Sequence, residues 1–404
     1  MLYLIPLRSL RESFMQLILK KGEEKRIQAG HPWIFSNELE SIEKCEPGEI
    51  VEVYDFRHNF IGRGYYNPHT LIAVRLLTRN QEEEINPDFF KNKIATAYNY
   101  RQQIYPQDTS YRLVYSEADG LPGLIIDKYE SCLVLQILTA GIQKWQDTIC
   151  QILVELLNPD CIYARNDSSF RSLEGLPLES DLVYGKLNNP ILIQQDGFQF
   201  KVDIAGGQKT GFFFDHRDNR KSLSSFIAGK RVLDAFCGTG AWSVYAAKYG
   251  VKSILAIDSS ETAIGLAKEN AELNAVDTMC QFEVMEVFET LDKLEQQKKQ
   301  FDCIILDPPA FAKSKSHIPT AIKGYREINQ RAMRLLTNGG YLVTSSCSYH
   351  ISRETFLEML ITVAERAKVS FRLIRIGQQA LDHPILLNVP ETEYLKCMTV
   401  QVYR

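Results

Sequence analysis

The pattern of apolar and polar positions divides the chain into regions with different periods. Residues 1–16 form an N-terminal extension, and residues 17–80 then alternate with a period of two between Gly and Pro turns. Such alternation is typical of short strands in a small β-barrel. Strands are expected within segments 17–27, 30–35, 47–54, 60–66 and 71–77.

An acidic, proline-containing linker follows near residues 81–87. Residues 85–196 mix helix-length segments with strands and predict a central α+β domain. From residue 197 to 404, apolar β runs alternate with helical segments, which indicates an α/β fold with a parallel, doubly wound sheet. Its seven strands are expected at 231–234, 253–258, 282–284, 301–307, 341–345, 371–376 and 398–402.

Composition narrows the protein class only in part. The formal net charge is -4, so any surface that binds nucleic acid must be a local patch. The nine cysteines form no Cys-x-x-Cys pair and have no histidine at zinc-ligand spacing, which favours a reduced, cytoplasmic protein without a metal. No stretch approaches the roughly 18 apolar residues of a membrane span, and Arg8 and Arg11 interrupt the apolar start before a signal-peptide core could form.

A glycine turn follows the first strand of the predicted sheet. Strand 231–234 leads into Gly238-Thr239-Gly240 and a helix, so backbone N–H groups can approach a ligand closely. Asp234 lies before the turn and Asp258 closes the next strand, where it could accept hydrogen bonds from ribose hydroxyls. These acids favour S-adenosylmethionine (SAM), whose methionyl end is cationic. A dinucleotide is the alternative, since an acid at 258 also suits NAD.

Two further strand ends carry candidate chemistry. Asp307-Pro308-Pro309 follows the fourth strand, and the prolines fix the backbone so that Asp307 faces the crevice. Such a segment holds a planar nitrogenous substrate in methyltransferases, or is simply a strand-ending turn. Cys347 follows the fifth strand and could act as a nucleophile once it is a thiolate, or could pack in the core.

Basic residues cluster near these strand ends. Residues 313–334 hold six Lys or Arg and one Glu, and Lys209, Arg217, Arg220 and Lys221 precede the cofactor strand. Around the mouth of a crevice they would contact phosphates. A solvated helix face is the alternative for the stretch from 323 to 334.

Four segments together resemble a known family: Gly207 to Arg220, Asp234 to Gly240, Asp307 to Phe311, and Ser346-Cys347-Ser348. The chain from residue 17 onward resembles the bacterial 23S ribosomal RNA (cytosine-5)-methyltransferases of the RlmI type. The resemblance implies an RNA-binding PUA domain at 17–80, a central α+β domain and a Rossmann-like, SAM-dependent methyltransferase domain. It also implies large-subunit ribosomal RNA as substrate and, often, a homodimer.

The resemblance also implies roles for individual residues. Cys347 becomes the nucleophile and Asp307 lies at the substrate interface. SAM contacts are expected from the glycine turn, the ribose acid, an acid near the adenine and the preceding motif. The residues are Asp234, Phe236, Gly238, Gly240, Asp258, Glu286, Lys209, Asp215 and Arg217.

Two alternatives keep other functions open. The chain could methylate a base nitrogen, or a guanine, with Asp307-Pro308-Pro309 gripping the base and Cys347 only packing. It could instead be an RNA-binding factor without catalysis, in which the N-terminal domain acts and SAM is absent. The base that removes the carbon-5 proton is not indicated, because Pro309 is followed by Ala310 and not by a second cysteine.

Overall fold

The structure is a computed structural model that describes residues 14–41, 43–207, 210–312 and 314–404. These residues form sheets of five, five and seven strands and one two-stranded hairpin. Within the described ranges, no helix is long and apolar enough to cross a membrane.

The N-terminal sheet has the order β1-β3-β4-β5-β2, and β1 pairs with β3 in parallel. Its core contains Leu17, Val51 and Val74, as the period-two alternation predicts. The expected strand at 17–27 is only partly correct. The chain turns at Gly22 (φ +97°), and the next residues form a short helix that buries Ile27. The elements are β1 (Met15–Ile18), α1 (Glu24–Gln28), β2 (Trp33–Phe35), β3 (Glu49–Tyr54), β4 (Phe60–Tyr66) and β5 (Ile72–Thr78).

The central region is a second sheet, in the order β10-β9-β8-β7-β6, with two long helices packed together against it. Asn86 caps the first helix by accepting a hydrogen bond from Phe89 N, and Pro87 occupies its first turn. The elements are α2 (Pro87–Ile104), β6 (Tyr111–Tyr115), β7 (Leu124–Tyr129), β8 (Cys132–Ile137), α3 (Ala140–Gln143), α4 (Gln146–Leu157), β9 (Cys161–Asn166), α5 (Phe170–Leu173) and β10 (Glu179–Gly185).

Two cysteines of this sheet are bonded to each other. Cys132 on β8 and Cys161 on β9 are register partners on adjacent parallel strands and form a disulfide. The expectation of a wholly reduced chain is therefore wrong for this pair. Their separation of 29 residues gave no sequence signal, because only the strand register brings them together. The other seven cysteines, all within the described residues, form no disulfide.

A hairpin joins the central region to the last sheet. It consists of β11 (Ile191–Gln195) and β12 (Phe198–Val202). Phe200 and Val202 pack with Val244 and Tyr245 of the C-terminal region. The expected domain boundary between residues 196 and 197 falls in the turn of this hairpin.

The C-terminal sheet has the order β15-β14-β13-β16-β17-β19-β18. Strands β13 to β17 are parallel, and β19 runs antiparallel between β17 and β18. The strand order reverses at β13 and β16, the position where doubly wound sheets bind ligands. The elements are α6 (Arg217–Ser222), β13 (Arg231–Ala235), α7 (Ala241–Lys248), β14 (Ser253–Asp258), α8 (Glu261–Leu273), β15 (Cys280–Val284), α9 (Val287–Gln296), β16 (Phe301–Leu306), α10 (Ile318–Leu335), β17 (Leu336–Ser346), α11 (Arg353–Ala367), β18 (Ser370–Gly377) and β19 (Lys396–Tyr403).

Candidate active site

The glycine turn after β13 contains three residues with positive φ: Phe236 (+66°), Gly238 (+53°) and Gly240 (+79°). The two glycines serve different purposes. A Cβ added to Gly240 would lie 3.0 Å from Ala267 Cβ, so this glycine allows close packing on α8. A Cβ added to Gly238 would meet no atom within 4 Å, so this glycine faces open space. Phe236 adopts a left-handed backbone conformation, which is rare for a bulky residue and often occurs at ligand sites.

Asp258 supports the turn from the end of β14. Its Oδ2 accepts a hydrogen bond from Gly238 N at 2.9 Å, and its Oδ1 accepts one from Ser260 N at 2.9 Å. Each carboxylate oxygen has a second lone pair, and the side chain is only half-buried. Asp258 can therefore accept two hydroxyl donors such as those of a ribose.

Asp234 lies fully buried beneath the turn. Ser243 Oγ donates to its Oδ2 at 2.7 Å, and Oδ1 has no hydrogen-bond donor among the described residues. Burial, with the nearby Asp307 and Asp258 charges, raises the pKa of Asp234 to about 7. A cationic ligand above the turn would offset the cost of keeping a buried Asp234 carboxylate charged. The cradle at Gly238, the acceptors of Asp258 and the unpartnered Asp234 oxygen fit SAM, which has cationic groups and a ribose.

An apolar wall continues from the turn. The ring centroids of Phe236 and Phe311 lie 6.5 Å apart, and Phe288 lies 6.1 Å from Phe311. Glu286 is exposed at the N-terminus of α9, and its side chain makes no capping bond there. It is free to extend along this wall, the position expected for a contact to adenine.

Asp307 follows β16 and is held on both carboxylate oxygens. His216 Nε2 lies 3.0 Å from its Oδ1, and Trp242 Nε1 donates to its Oδ2 at 2.9 Å. Burial would lower the pKa of His216, but the Asp307 carboxylate outweighs it and raises that pKa to about 10. The result is an oriented, half-buried carboxylate paired with an imidazolium.

Cys347 follows β17 and faces the Asp307 segment. Its Sγ lies 3.9 Å from Pro308 O, and the residue is half-buried. The flanking Ser346 and Ser348 hydroxyls each lie 3.1 Å from the hydroxyl of Tyr325. This network fixes the backbone on both sides of Cys347, which as a residue is partly exposed to solvent.

Lys396, at the start of β19, lies in the strand register opposite Ser346. Its Nζ donates to Ser348 O at 2.7 Å and to Tyr394 O at 2.8 Å. Burial lowers the pKa of Lys396 to about 8, against opposing effects of the Cys347 and Glu393 charges. A buried ammonium thus lies beside the candidate nucleophile.

The motif before the sheet is used differently from the expectation. Arg217 is buried, pairs with Asp196 and with Asp108 (2.6 Å), and stacks on Tyr105 at 3.9 Å. The Arg217 guanidinium therefore links the hairpin to the central region through these two ion pairs. The structure does not place Arg217 at the glycine turn. Asp215 is also buried and accepts a hydrogen bond from Tyr394 Oη at 2.6 Å. Lys209 lies outside the described residues.

The expected phosphate contacts are also only partly available. Arg220 is buried, donates to Phe213 O at 2.8 Å and lies over Phe212. On α10, Arg331 pairs with Asp292 at 2.5 Å, and Arg334 pairs with Glu295 at 2.9 Å. Lys323 and Arg326 line an open groove beside these pairs. Two of the four basic residues of α10 thus pair with acids of α9, whereas Lys323 and Arg326 face the groove.

Sequence reasoning missed His216, Trp242, Tyr325 and Lys396. His216 lies within the segment Gly207 to Arg220, but the resemblance implies roles only for Lys209, Asp215 and Arg217 in that segment. Lys396 carried a usable signal, since a lysine opening an otherwise apolar strand must find acceptors when buried. Trp242 and Tyr325 look like ordinary core aromatics on helices, and only the fold shows what their polar atoms contact.

Comparison with known proteins extends these observations. A model for PUA-like domains matches residues 17–79, and one for S-adenosylmethionine-dependent methyltransferases matches residues 162–379. A ribosomal RNA large subunit methyltransferase I from Shewanella frigidimarina is 40% identical over 396 residues, covering 96% of this chain and 100% of the relative.

Two solved structures share the fold over nearly the whole chain. A protein from Streptococcus mutans described as a SAM-dependent methyltransferase superposes with a TM-score of 0.83 at 22% identity. A methyltransferase complexed with SAH gives 0.84 at 22% identity. Each alignment covers 96% of this chain and 100% of the other. At this identity they support the architecture described above.

Proposed function

Because the chain belongs to the ribosomal RNA large subunit methyltransferase I family and is a SAM-dependent methyltransferase, we propose that it methylates carbon 5 of a cytosine in 23S ribosomal RNA. The observation that carries this proposal is the position of Cys347, half-buried at the end of β17 and 3.9 Å from Pro308 O. The Asp307 segment, which faces Cys347, suits a planar base.

The proposed reaction uses Cys347 to activate the ring. Carbon 5 of cytosine is a weak nucleophile, so the Cys347 thiolate adds at carbon 6 and makes carbon 5 enamine-like. SAM would supply the electrophilic methyl group of its sulfonium to carbon 5, and S-adenosylhomocysteine would be the leaving group. Once carbon 5 carries the methyl group, a base takes its proton and the carbon–sulfur bond to Cys347 breaks, which restores the ring and the thiolate.

Asp307 would hold the cytosine. His216 and Trp242 fix both of its oxygens, and each oxygen keeps a lone pair that can accept an N–H of the cytosine amino group. Asp234, Phe236, Gly238, Gly240 and Asp258 would hold SAM, with Glu286 at the adenine. Arg217 and Asp215 would act at a distance, by holding the preceding motif in place.

The rest of the assignment follows from the domains. The PUA-like region at 17–80 would bind RNA as an accessory, beside a central domain at 85–196 and the methyltransferase domain at 197–404. The hairpin β11-β12 packs on the methyltransferase side and would move that last boundary to before Ile191. A metal-free homodimer in the cytoplasm completes the proposal. Exposed Leu173, Leu178 and Tyr184 near the edge strand β10 support self-association.

The decisive experiment compares Cys347→Ala with Cys280→Ala, since Cys280 is also half-buried in the same domain. Each protein is incubated with SAM and either transcribed 23S RNA or large subunits from a strain lacking the enzyme. We expect Cys347→Ala to bind SAM normally by calorimetry and to lose methyl transfer by on the order of 1000-fold. The Cys280 variant should keep its activity.

Product and intermediate are read separately. Mass spectrometry of digested nucleosides should give 5-methylcytidine, and RNA containing 5-fluorocytidine should form a denaturant-stable adduct with Cys347 only. Activity in Cys347→Ala would sink the covalent mechanism. An N-methylated base, or no 5-methylcytidine on either substrate with the unaltered protein, would sink the cytosine-5 assignment.

A further inference from the structure

The strongest feature outside the expected site residues is the environment of Lys396. The residue is 3% exposed, and its Nζ donates to two backbone carbonyls, one of which belongs to Ser348, the residue after Cys347. An ammonium has three N–H donors, and these carbonyls use two of them. A donor and a positive charge are therefore left for a group beside Ser348.

Besides Lys396 and Cys347 themselves, the charged and titratable groups around this pair include Glu393, Arg353 and Tyr325. Glu393 raises the pKa of Lys396 and Arg353 lowers it, and the two side chains form an ion pair, so their effects on that pKa partly cancel. Tyr325, on α10, is buried and neutral at physiological pH, because burial raises its pKa. Cys347 is the remaining partner, and its charge favours the protonated form of Lys396.

Burying a lysine is costly unless it is paired and hydrogen-bonded. A purely structural tie between two carbonyls could be made by a neutral donor at lower cost. A cation retained here has a further use, because a nearby positive charge favours a thiolate over a thiol.

We propose that Lys396 is a positioning residue for the nucleophile: it fixes the backbone at Ser348 and stabilises the Cys347 thiolate electrostatically. This inference rests on the proposed function of Cys347. Lys396 forms no bond to substrate and transfers no proton in this role. It acts through the charge and the position of the thiol.

The test measures the reactivity of Cys347 directly. The full chain is treated with iodoacetamide between pH 6 and 10, and the rate for the Cys347 peptide is followed by mass spectrometry. In Lys396→Gln, which keeps an N–H donor and loses the charge, we expect the alkylation midpoint to rise by about one pH unit. Lys396→Arg should keep a midpoint close to that of the unaltered protein.

A matched control is available in the central region. Lys128 is half-buried and likewise donates to two backbone carbonyls, those of Thr109 and Glu130, far from Cys347 in the chain. Lys128→Gln should leave the Cys347 midpoint unchanged. Alkylation of half-buried Cys45 serves as an internal measure of folding in every variant.

Methyl transfer provides the second readout. Lys396→Gln should lower kcat at pH 7 about tenfold and recover with rising pH, with unchanged SAM affinity, because a higher pH restores the thiolate. Equal midpoints in Lys396→Gln and Lys396→Arg would overturn the inference. If Cys347→Ala were active while the midpoint still shifted, the covalent mechanism would fail and the effect of Lys396 on the thiol would stand.

Discussion

The cofactor side and the substrate side of the crevice are assembled over very different distances along the chain. On the cofactor side, Asp234, Gly238 and Asp258 belong to two successive strands and the turn between them. On the substrate side, His216, Asp307, Cys347 and Lys396 come from four separate segments. The first can be inferred from a local motif, whereas the second needs the topology of the sheet.

The largest effect should come from the substrate side. Asp307→Asn replaces the carboxylate that pairs with His216 and accepts a hydrogen bond from Trp242. We expect kcat to fall by on the order of 100-fold, with SAM affinity nearly unchanged, because the cytosine loses the oriented carboxylate that accepts its amino group. Steady-state kinetics and calorimetry measure the two effects separately. Trp242→Phe, which removes one donor and keeps the ring, should have a smaller effect.

If instead Asp307→Asn weakened SAM binding as strongly as it lowered kcat, the two sides would not be separable at this residue. Asp307 would then contribute to SAM binding as well as to the reaction of the base.

The cofactor side can be tested at Gly238. Gly238→Ala places a methyl group in the open space that we assign to SAM, so SAM affinity should fall roughly 10- to 50-fold. Gly250→Ala is a matched control, because Gly250 also has positive φ (+80°) and no atom within 4 Å of an added Cβ. Both variants should lose about 1 kcal/mol of folding stability, while calorimetry with SAM should detect a change only at Gly238. Equal SAM affinities in the two variants would contradict the cradle.

The smallest expected effect concerns pH. Below the pKa of Asp234, about 7, the carboxyl is protonated in the free protein, and a bound cation favours the ionised form. SAM affinity should therefore rise about tenfold between pH 6 and pH 8, with release of a proton on binding. In Asp234→Asn the affinity should be weaker and flat over this range. Calorimetry in buffers of different ionisation enthalpy measures the proton, and a flat profile in the unaltered protein would refute the coupling.

The same contrast explains what the sequence could predict. The strands of the last sheet were predicted because their apolar runs are long and regularly spaced, and the glycine turn was predicted because its residues are contiguous. The helix at Glu24–Gln28 was missed because a five-residue helix with one buried side chain has no clear period. The resemblance implies a cofactor contact for Arg217, but no local pattern in the sequence indicates that Asp108 and Asp196 pair with it.

The position of β19 has a consequence for the kinetics of folding. This strand is inserted between β17 and β18 and pairs with both, so Gln401 lies opposite Tyr341 across a long intervening chain. Pairings with large sequence separation form slowly, because the entropy of loop closure must be overcome before they stabilise the fold. We therefore expect the structure around Cys347 to form after β13 and β14 have paired. A refolding chain should acquire affinity for SAM before it acquires a reactive thiol.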